Sequence, residues 1–128
     1  MPSQSITYIM LLELENCRQY YGIDNNYHSI DFPKTYEECL EVLGSEVISE
    51  HPILNNFIKL LNCRNAFYKL MNWNGKNNRY YVITNCDNKI TQLETHRFNY
   101  ILKFPDPYTR ILFETRFKDI IQEAIEFI

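Results

Sequence analysis

The 128-residue sequence predicts an α+β fold in which two small antiparallel β-hairpins pack with helices and the chain ends in a long helix. Three observations favour this class. Two tyrosine-containing stretches are rich in β-branched and aromatic residues, which are typical of strands. Capping residues mark helix starts between and after these stretches. The chain is 45% hydrophobic and 23% charged, which is close to the globular average, so it can bury a core.

The N-terminal half begins with a predicted hairpin whose strands are residues 6–14 and 17–23. After a turn-rich segment, Thr35 and Glu38 form a capping box that starts a short helix, and Gly44 supplies its left-handed end. The next stretch, residues 51–62, fits either a helix opened by Pro52 or a buried strand, and the helix is favoured.

The C-terminal half is predicted to begin with a second hairpin over residues 66–82, with Asn74 and Gly75 at its tip. Residues 85–89 form a further turn, and residues 90–104 carry apolar side chains at helical spacing. Asp106 is a helix N-cap, and the proline that follows it suits the first helical position. An apolar stripe then defines a long amphipathic helix that packs in the core or in a dimer interface. The stripe consists of Phe113, Phe117, Ile120, Ile121, Ala124, Ile125 and Ile128.

A weak internal repeat relates the two halves. When residues 1–68 are aligned without gaps on residues 61–128, nine of the 68 pairs are identical, including Tyr8 with Tyr68 and Tyr20 with Tyr80. Both halves also show the same predicted order of hairpin, turn and helices. The sequence therefore predicts a tandem ββαα pseudo-repeat with modules 1–63 and 64–128. The two are expected to pack into one compact unit, because a module of about sixty residues is only marginally stable alone.

Charge is divided unevenly between the halves. Residues 1–60 carry nine carboxylates and three basic residues, a balance of −6, whereas residues 61–128 carry ten basic and seven acidic residues, a balance of +3. The positive excess lies in residues 61–105. Opposite charges attract, so we expect each half to bind the other half or the opposite half of a second copy.

The first predicted hairpin resembles a nuclease signature. The sequence "ITY", eleven residues and then "YYG" is similar to the paired tyrosine motif of GIY-YIG nucleases. Residues 44–63 look like the continuation found in GIY-YIG-like proteins of large DNA viruses, in which a Pro-Ile pair precedes the third strand. Residues 66–82 repeat the spacing as "AFY", eleven residues and "YYV".

This resemblance implies phosphodiester cleavage by a tyrosine that positions or deprotonates water, an arginine that stabilises the developing charge and a glutamate that holds one divalent metal. Tyr8 and Tyr20 take the places of the two tyrosines, and Gly22 takes that of the glycine. The chain departs from the motif with Ile6 at the opening glycine and Asp31 where the arginine is expected, and no glutamate can be assigned to the metal. We therefore expect no catalytic residues, no enzyme activity and no cofactor.

Three functions follow as hypotheses. The favoured one is a non-catalytic viral protein that uses a degenerate GIY-YIG-like scaffold for binding, as a homo-oligomer or with a virion or host protein. The first alternative is nucleic-acid binding through the basic aromatic stretch 61–105. Its candidate residues are Arg64, Lys69, Trp73, Lys76, Arg79, Lys89, Arg97 and Lys103. The second alternative is a divergent nuclease dependent on Mg²⁺ or Mn²⁺.

The sequence also predicts where the protein is found. No apolar run approaches the roughly 20 residues of a bilayer span, and the first residues lack the pattern of a signal peptide. A soluble, intracellular protein without a membrane partner is expected, with the virion and the host cytoplasm or nucleus as its locations. The four cysteines show no zinc-binding spacing and are expected to remain free thiols.

Overall fold

The structure is a computed structural model that describes residues 26–128, so the predicted hairpin over residues 6–23 lies outside the described part of the chain. The described residues form three helices and one three-stranded antiparallel sheet, an α+β fold as predicted. In chain order the elements are α1 (Tyr36–Leu43), α2 (Pro52–Met71), β1 (Tyr80–Cys86), β2 (Lys89–Thr95), β3 (Leu102–Phe104) and α3 (Pro107–Glu123). Short 3₁₀ turns occupy Asn26–Ser29 and Ile125–Phe127. None of the described helices is long and apolar enough to cross a lipid bilayer.

Helix α1 begins and ends as its sequence predicts. Thr35 Oγ1 accepts a hydrogen bond of 3.2 Å from the backbone N–H of Glu38. The Glu38 carboxylate reaches back and accepts from the N–H of Lys34 at 2.7 Å, so both components of the cap are present. Gly44 ends the helix with a φ of 78°, a left-handed conformation that glycine adopts without a steric penalty.

Helix α2 confirms the helical alternative for residues 51–62 and extends further than expected. Pro52 lies in its first turn, and Asn72 ends it with a φ of 51°. The first strand of the predicted second hairpin is wrong, because residues 66–71 are helical and Gly75 lies in the connection to β1, whereas the strand predicted after this tip is confirmed by β1. The cause is that the buried side chains along this helix recur at intervals of three and four, as one helical face requires. They include Leu60, Cys63, Phe67 and Met71.

The predicted boundary between residues 63 and 64 falls inside this continuous helix. The predicted pseudo-repeat also fails in the described part of the chain. An offset of sixty residues places α1 on residues 96–103, which form a loop and the start of β3 instead of a helix. The Pro-Ile pair at residues 52 and 53 opens a helix, not the third strand that the nuclease resemblance implies.

Strands β1 and β2 form an antiparallel hairpin. They pair in antiparallel register from Tyr80 with Thr95 to Cys86 with Lys89. Asp87 and Asn88 connect them with φ values of 53° and 63°, the two positive values that define a type I′ turn. The turn predicted at residues 85–89 is therefore confirmed.

The helix predicted over residues 90–104 is wrong, because these residues form β2, a loop and β3. The strand β2 contains three β-branched residues that pair with β1: Ile90, Thr91 and Thr95. The helical spacing of the apolar residues gave no indication of this pairing. Strand β3 pairs with the other edge of β1, giving the order β2-β1-β3, so the connection between β2 and β3 crosses β1.

Helix α3 begins at the predicted cap. The Asp106 carboxylate accepts from the N–H of Thr109 at 2.7 Å, and Pro107 lies in the first turn. The helix is kinked at Phe117, whose φ of −121° and ψ of 26° are not helical. Most of the predicted stripe packs inward: the core contains Phe113, Phe117, Ile121 and Ala124, and Ile120 and Ile128 pack against it. This face of the helix is therefore core.

Candidate functional site

The structure gathers part of the predicted basic stretch at one end of the sheet. The loop before β1 and the loop after β2 meet there, and His96 Nδ1 lies 2.8 Å from the carbonyl oxygen of Asn78. We call this surface the basic end. It comprises Lys76, Arg79, Arg97, Phe98 and Lys103. Phe98 is 71% exposed, which is unusual for a phenylalanine.

Two of the four cations at the basic end are engaged within the molecule. Arg79 Nη1 forms an ion pair of 2.7 Å with Glu94. Lys103 Nζ donates a hydrogen bond of 3.0 Å to the carbonyl oxygen of Phe98 and lies 5.1 Å from the centre of the Tyr80 ring. The side chains of the other two, Lys76 and Arg97, are exposed and form no ion pair with another described residue.

Three other predicted nucleic-acid contacts have different positions. Arg64 Nη1 donates to the carbonyl oxygen of Ile101 at 3.1 Å, just before β3. Lys69 Nζ donates to the carbonyl oxygen of Val42 at 2.8 Å, in the last turn of α1, where carbonyl groups lack helical partners. Lys89 is exposed at the far end of the β1–β2 hairpin. The eight candidates therefore do not form one surface.

Trp73 joins α2 to the sheet and is not presented for stacking. Its ring packs edge-on against Tyr68 at 5.1 Å between centroids and lies 6.2 Å from that of Tyr80. The indole Nε1 is buried and has no hydrogen-bond acceptor among the described residues. A half-buried indole in these contacts has little surface left for a base.

The residues that carry the nuclease resemblance lie elsewhere in the chain. Tyr8, Tyr20 and Gly22 are outside the described residues. Within residues 26–128 no three His, Cys, Asp or Glu side chains are grouped closely enough to hold a metal ion. Cys39, Cys63 and Cys86 are free thiols, of which Cys86 is exposed. The hydrogen bond between Cys39 and Cys63 and their burial raise the pKa of the Cys63 thiol, so this pair is a packed part of the α1–α2 contact.

A second surface was not anticipated from the sequence. Val47, Ile48 and Ile53 are 60%, 74% and 77% exposed at the junction between α1 and α2. We call these three residues the apolar patch. Val47 and Ile48 also line a groove of about 290 Å³. Its other lining residues are Tyr36, Glu46, Asn55, Ile58 and Lys59. An apolar pair in a loop between Gly44 and Pro52 was the available signal, because loops at the surface are usually polar.

Hydrogen bonds hold the loop that carries the apolar patch. The side chain of Asn62, which is 2% exposed, donates to the carbonyl oxygen of Val47 at 3.0 Å and to the Tyr36 hydroxyl at 3.1 Å. Tyr36 in turn donates to the Glu46 carboxylate at 2.7 Å. Asn55 Oδ1 accepts from the N–H of Ser49 at 3.3 Å. Val47 and Ile48 are therefore presented on a loop anchored to α1 and α2, and Ile53 is presented by the first turn of α2.

The groove beside the patch is polar at its rim. Burial, with the neighbouring Glu46 carboxylate, raises the pKa of Tyr36 to about 12, so its hydroxyl keeps its proton at alkaline pH values where an exposed tyrosine would lose it. Lys59 Nζ lies 4.9 Å from the centre of the Tyr36 ring. Residues 44–55 contain the carboxylates of Glu46 and Glu50 and no lysine or arginine.

The described part of the chain thus has two surfaces suited to binding. One is the apolar patch, with Glu46 and Glu50 in the same loop and Lys59 in the adjoining groove, and the other is the basic end with its exposed phenylalanine. The two lie in different halves of the sequence. Comparison of the chain with protein-family models, curated proteins and solved structures finds no match in any of the three.

Proposed function

We propose that this protein is a non-catalytic binding protein that self-associates through the apolar patch. The observation that carries the proposal is the exposure of Val47, Ile48 and Ile53 within seven residues of sequence. Single exposed apolar residues are normal, but several together beside a groove mark interaction sites. Burying them against another molecule removes apolar surface from water and favours association.

The anchoring of the patch supports the same function. The bonds from Asn62 to Val47 and from Ser49 to Asn55 order the loop before any partner binds. A loop that is already ordered loses less conformational entropy on binding, so more of the apolar burial is available as affinity. An anchored apolar loop is therefore better explained as a binding surface than as an incidental exposure.

The resemblance of residues 6–22 to the GIY-YIG signature supports the rest of the proposal. A chain that keeps the tyrosine spacing but has no assignable arginine or glutamate fits a scaffold that binds without cutting. Similar domains occur in large DNA viruses, so we propose a viral protein that acts in the virion or on a host factor.

Sedimentation velocity over a concentration series tests the proposal. We expect the full chain to form dimers or larger species by about 100 μM, a range typical of weak specific contacts. Ile48→Asp should shift the protein to monomer, since a carboxylate in the contact would lose its hydration. Asn88→Asp adds the same charge at the β1–β2 turn and should not change the association. A wild-type chain that stays monomeric throughout would overturn the proposal.

The second candidate function is binding of single-stranded nucleic acid at the basic end. The observation that favours it is the exposed Phe98 ring next to Arg97. Lys76 lies in the loop before β1, which meets the Phe98 loop at the same end of the sheet. Bases stack on exposed aromatic rings, and cations neutralise phosphates. Two available cations predict a weak salt dependence, with a slope of about −1.4 for log K against log salt.

Fluorescence anisotropy with a labelled oligonucleotide at low salt tests this candidate. Phe98→Ala should lower the affinity, whereas Lys89→Ala, which removes a cation at the far end of the hairpin, should not. An unchanged anisotropy with both single-stranded and duplex DNA would exclude it. The divergent nuclease is tested separately, by plasmid nicking with Mg²⁺ or Mn²⁺ that disappears in Tyr8→Phe.

A further inference from the structure

We propose that the self-association is head-to-tail: the basic end of one copy binds the apolar patch of the next. This inference rests on the proposed function, because it names the surface that covers the patch. Phe98 enters the groove beside Val47 and Ile48, and Arg97 lies against the carboxylates of the same loop, Glu46 in the groove lining and Glu50 further along the loop.

Charge and surface chemistry select a second copy as the partner. The loop of residues 44–55 carries two carboxylates and no lysine or arginine, and Lys59, which also lines the groove, lies over the Tyr36 ring. Residues 96–103, in contrast, carry Arg97 and Lys103 and no carboxylate. Among the described residues, the large apolar side chains that are exposed are the three of the patch and Phe98. The two surfaces are therefore complementary in charge, and both expose apolar side chains.

The carboxylates beside the patch also form no ion pair with any residue in the described part of the chain. The two ion pairs formed between described residues are Arg79 with Glu94 and Arg110 with Glu114, and both lie in the basic half. Glu46 accepts a bond from a neutral tyrosine, and Glu50 is exposed. A cation from another molecule can approach them without breaking an existing ion pair.

The two surfaces are too far apart to meet within one molecule. Ile53 lies in the first turn of α2, and Tyr68, fifteen residues along the same helix, donates a hydrogen bond to the carbonyl oxygen of Lys103. At about 1.5 Å per residue, roughly 22 Å of helix separates these positions. Lys103 Nζ is 5.9 Å from the centre of the Phe98 ring. Phe98 therefore lies near the other end of α2 from the patch.

The groove suits an aromatic anchor. It has a volume of about 290 Å³ and is lined by Val47, Ile48 and Ile58 together with polar and charged side chains. Protein interfaces commonly place an aromatic side chain in a central pocket and charged groups around it. A dimer joined by one such contact still has one free basic end and one free apolar patch. Further copies can therefore bind until the assembly is an open chain or closes into a ring.

Mixing two variants tests the head-to-tail arrangement. Phe98→Asp removes the anchor and keeps the groove, whereas Ile48→Asp damages the patch and keeps the anchor. Each side chain is mostly exposed, so neither change disturbs the core. We expect each variant alone to sediment as a monomer, and an equimolar mixture to form a dimer and nothing larger, because only one intact contact is possible.

Charge reversal gives a second, independent test of the head-to-tail contact. Arg97→Glu and Glu50→Arg should each weaken the association by about tenfold at low salt, and the double variant should recover most of the loss. Asn88→Asp is the control for added charge and should associate as the wild type does. Failure of the double variant to recover any affinity would contradict the pairing of these two residues.

Other outcomes separate this inference from the proposed function. If Phe98→Asp associates like the wild type while Ile48→Asp is monomeric, the patch pairs with itself, which overturns the head-to-tail arrangement and leaves self-association intact. If Phe98→Asp loses oligonucleotide binding but keeps self-association, the basic end belongs to nucleic acid and the inference is again wrong. A monomeric wild type would overturn both.

Discussion

Arg64, Tyr68 and Lys69 lie within two turns of α2, and each donates a hydrogen bond to a backbone carbonyl group of another part of the chain. Two of these bonds satisfy carbonyl groups in and beside β3, at an edge of the sheet where they would otherwise be open to another strand. At the residue scale these polar side chains serve the fold. A count of basic residues therefore overestimates the charge available for a nucleic acid.

Tyr68 gives a prediction about alkaline stability. Burial raises its pKa to about 12, above the value of about 10 for an exposed tyrosine. Because the pKa is higher in the folded state, the contribution of Tyr68 to stability is complete below about pH 10 and is lost as the pH rises towards 12. We expect the free energy of unfolding of the wild type to fall over this range, with about 1–2 kcal/mol of the fall due to Tyr68.

Urea unfolding at about pH 9 and about pH 11.5 measures this effect. Tyr68→Phe should be less stable at the lower pH by about 1 kcal/mol, since the carbonyl group of Lys103 loses its donor, and should then depend less on pH. Tyr100→Phe removes a hydroxyl from the loop before β3 and should retain the pH dependence of the wild type. Equal pH dependence in Tyr68→Phe and the wild type would show that Tyr68 does not cause it.

Among the elements, helix starts were predictable from the sequence, whereas the secondary structure of residues 66–71 and 90–104 was not. The caps at Thr35 and Asp106 act through a side chain and an N–H group three residues further on, so the local sequence contains all of their parts. The apolar residues between 66 and 104 fit both the spacing of a helix and that of a strand. Whether they form helix or strand depends on the elements they pack against.

The cap of α3 gives a prediction at this scale. Thr109 donates to Asp106 Oδ1 through both its N–H and its hydroxyl, each at 2.7 Å. Asp106→Ala should lower the free energy of unfolding by about 1–2 kcal/mol, because the first turn loses its acceptor. Asp119→Ala, an exposed position of the same helix, should cost less than about 0.5 kcal/mol. Similar losses in chemical denaturation of the two variants would contradict a capping role.

At the scale of the whole molecule, Phe67 connects parts of the chain that are distant in sequence. Its ring stacks on Phe32 at 4.5 Å between centroids and meets Phe113 and Phe117 edge-on at 5.1 Å and 5.9 Å. The segment before α1, helix α2 and helix α3 thus share one aromatic cluster. A fold held in this way is expected to unfold cooperatively.

Removal of the central ring should be costly. Phe67→Ala is expected to lower the free energy of unfolding by about 3–5 kcal/mol, because it leaves a cavity among three other rings. Phe98→Ala removes the same side chain from an exposed site and should change stability by less than about 0.5 kcal/mol when measured on dilute monomer. Comparable destabilisation by both changes would show that Phe98 is part of the core, and would remove it as an anchor.

The uneven charge of the two halves also belongs to this scale. Some cations of the basic half do contact the acidic half, but they bind backbone carbonyl groups instead of carboxylates. Lys69 donates to the carbonyl oxygen of Val42, and Arg116 donates to that of Phe32 at 2.7 Å. The carboxylates of residues 44–55 form no ion pair with other described residues. Charge separation along the sequence therefore leaves a loop with two carboxylates and a basic end on one molecule, as head-to-tail association requires.

Local sequence patterns were enough to predict the α+β class, the caps at Thr35 and Asp106, the end of α1 at Gly44 and the turn before Lys89. Each of these depends on residues a few positions apart, so the local chemistry suffices. Only the tertiary structure decided that residues 66–71 are helical, that residues 90–95 pair with β1, and which charged and apolar side chains are exposed. These outcomes depend on distant contacts, such as the bond from Arg64 to Ile101 across 37 residues, which no local pattern contains.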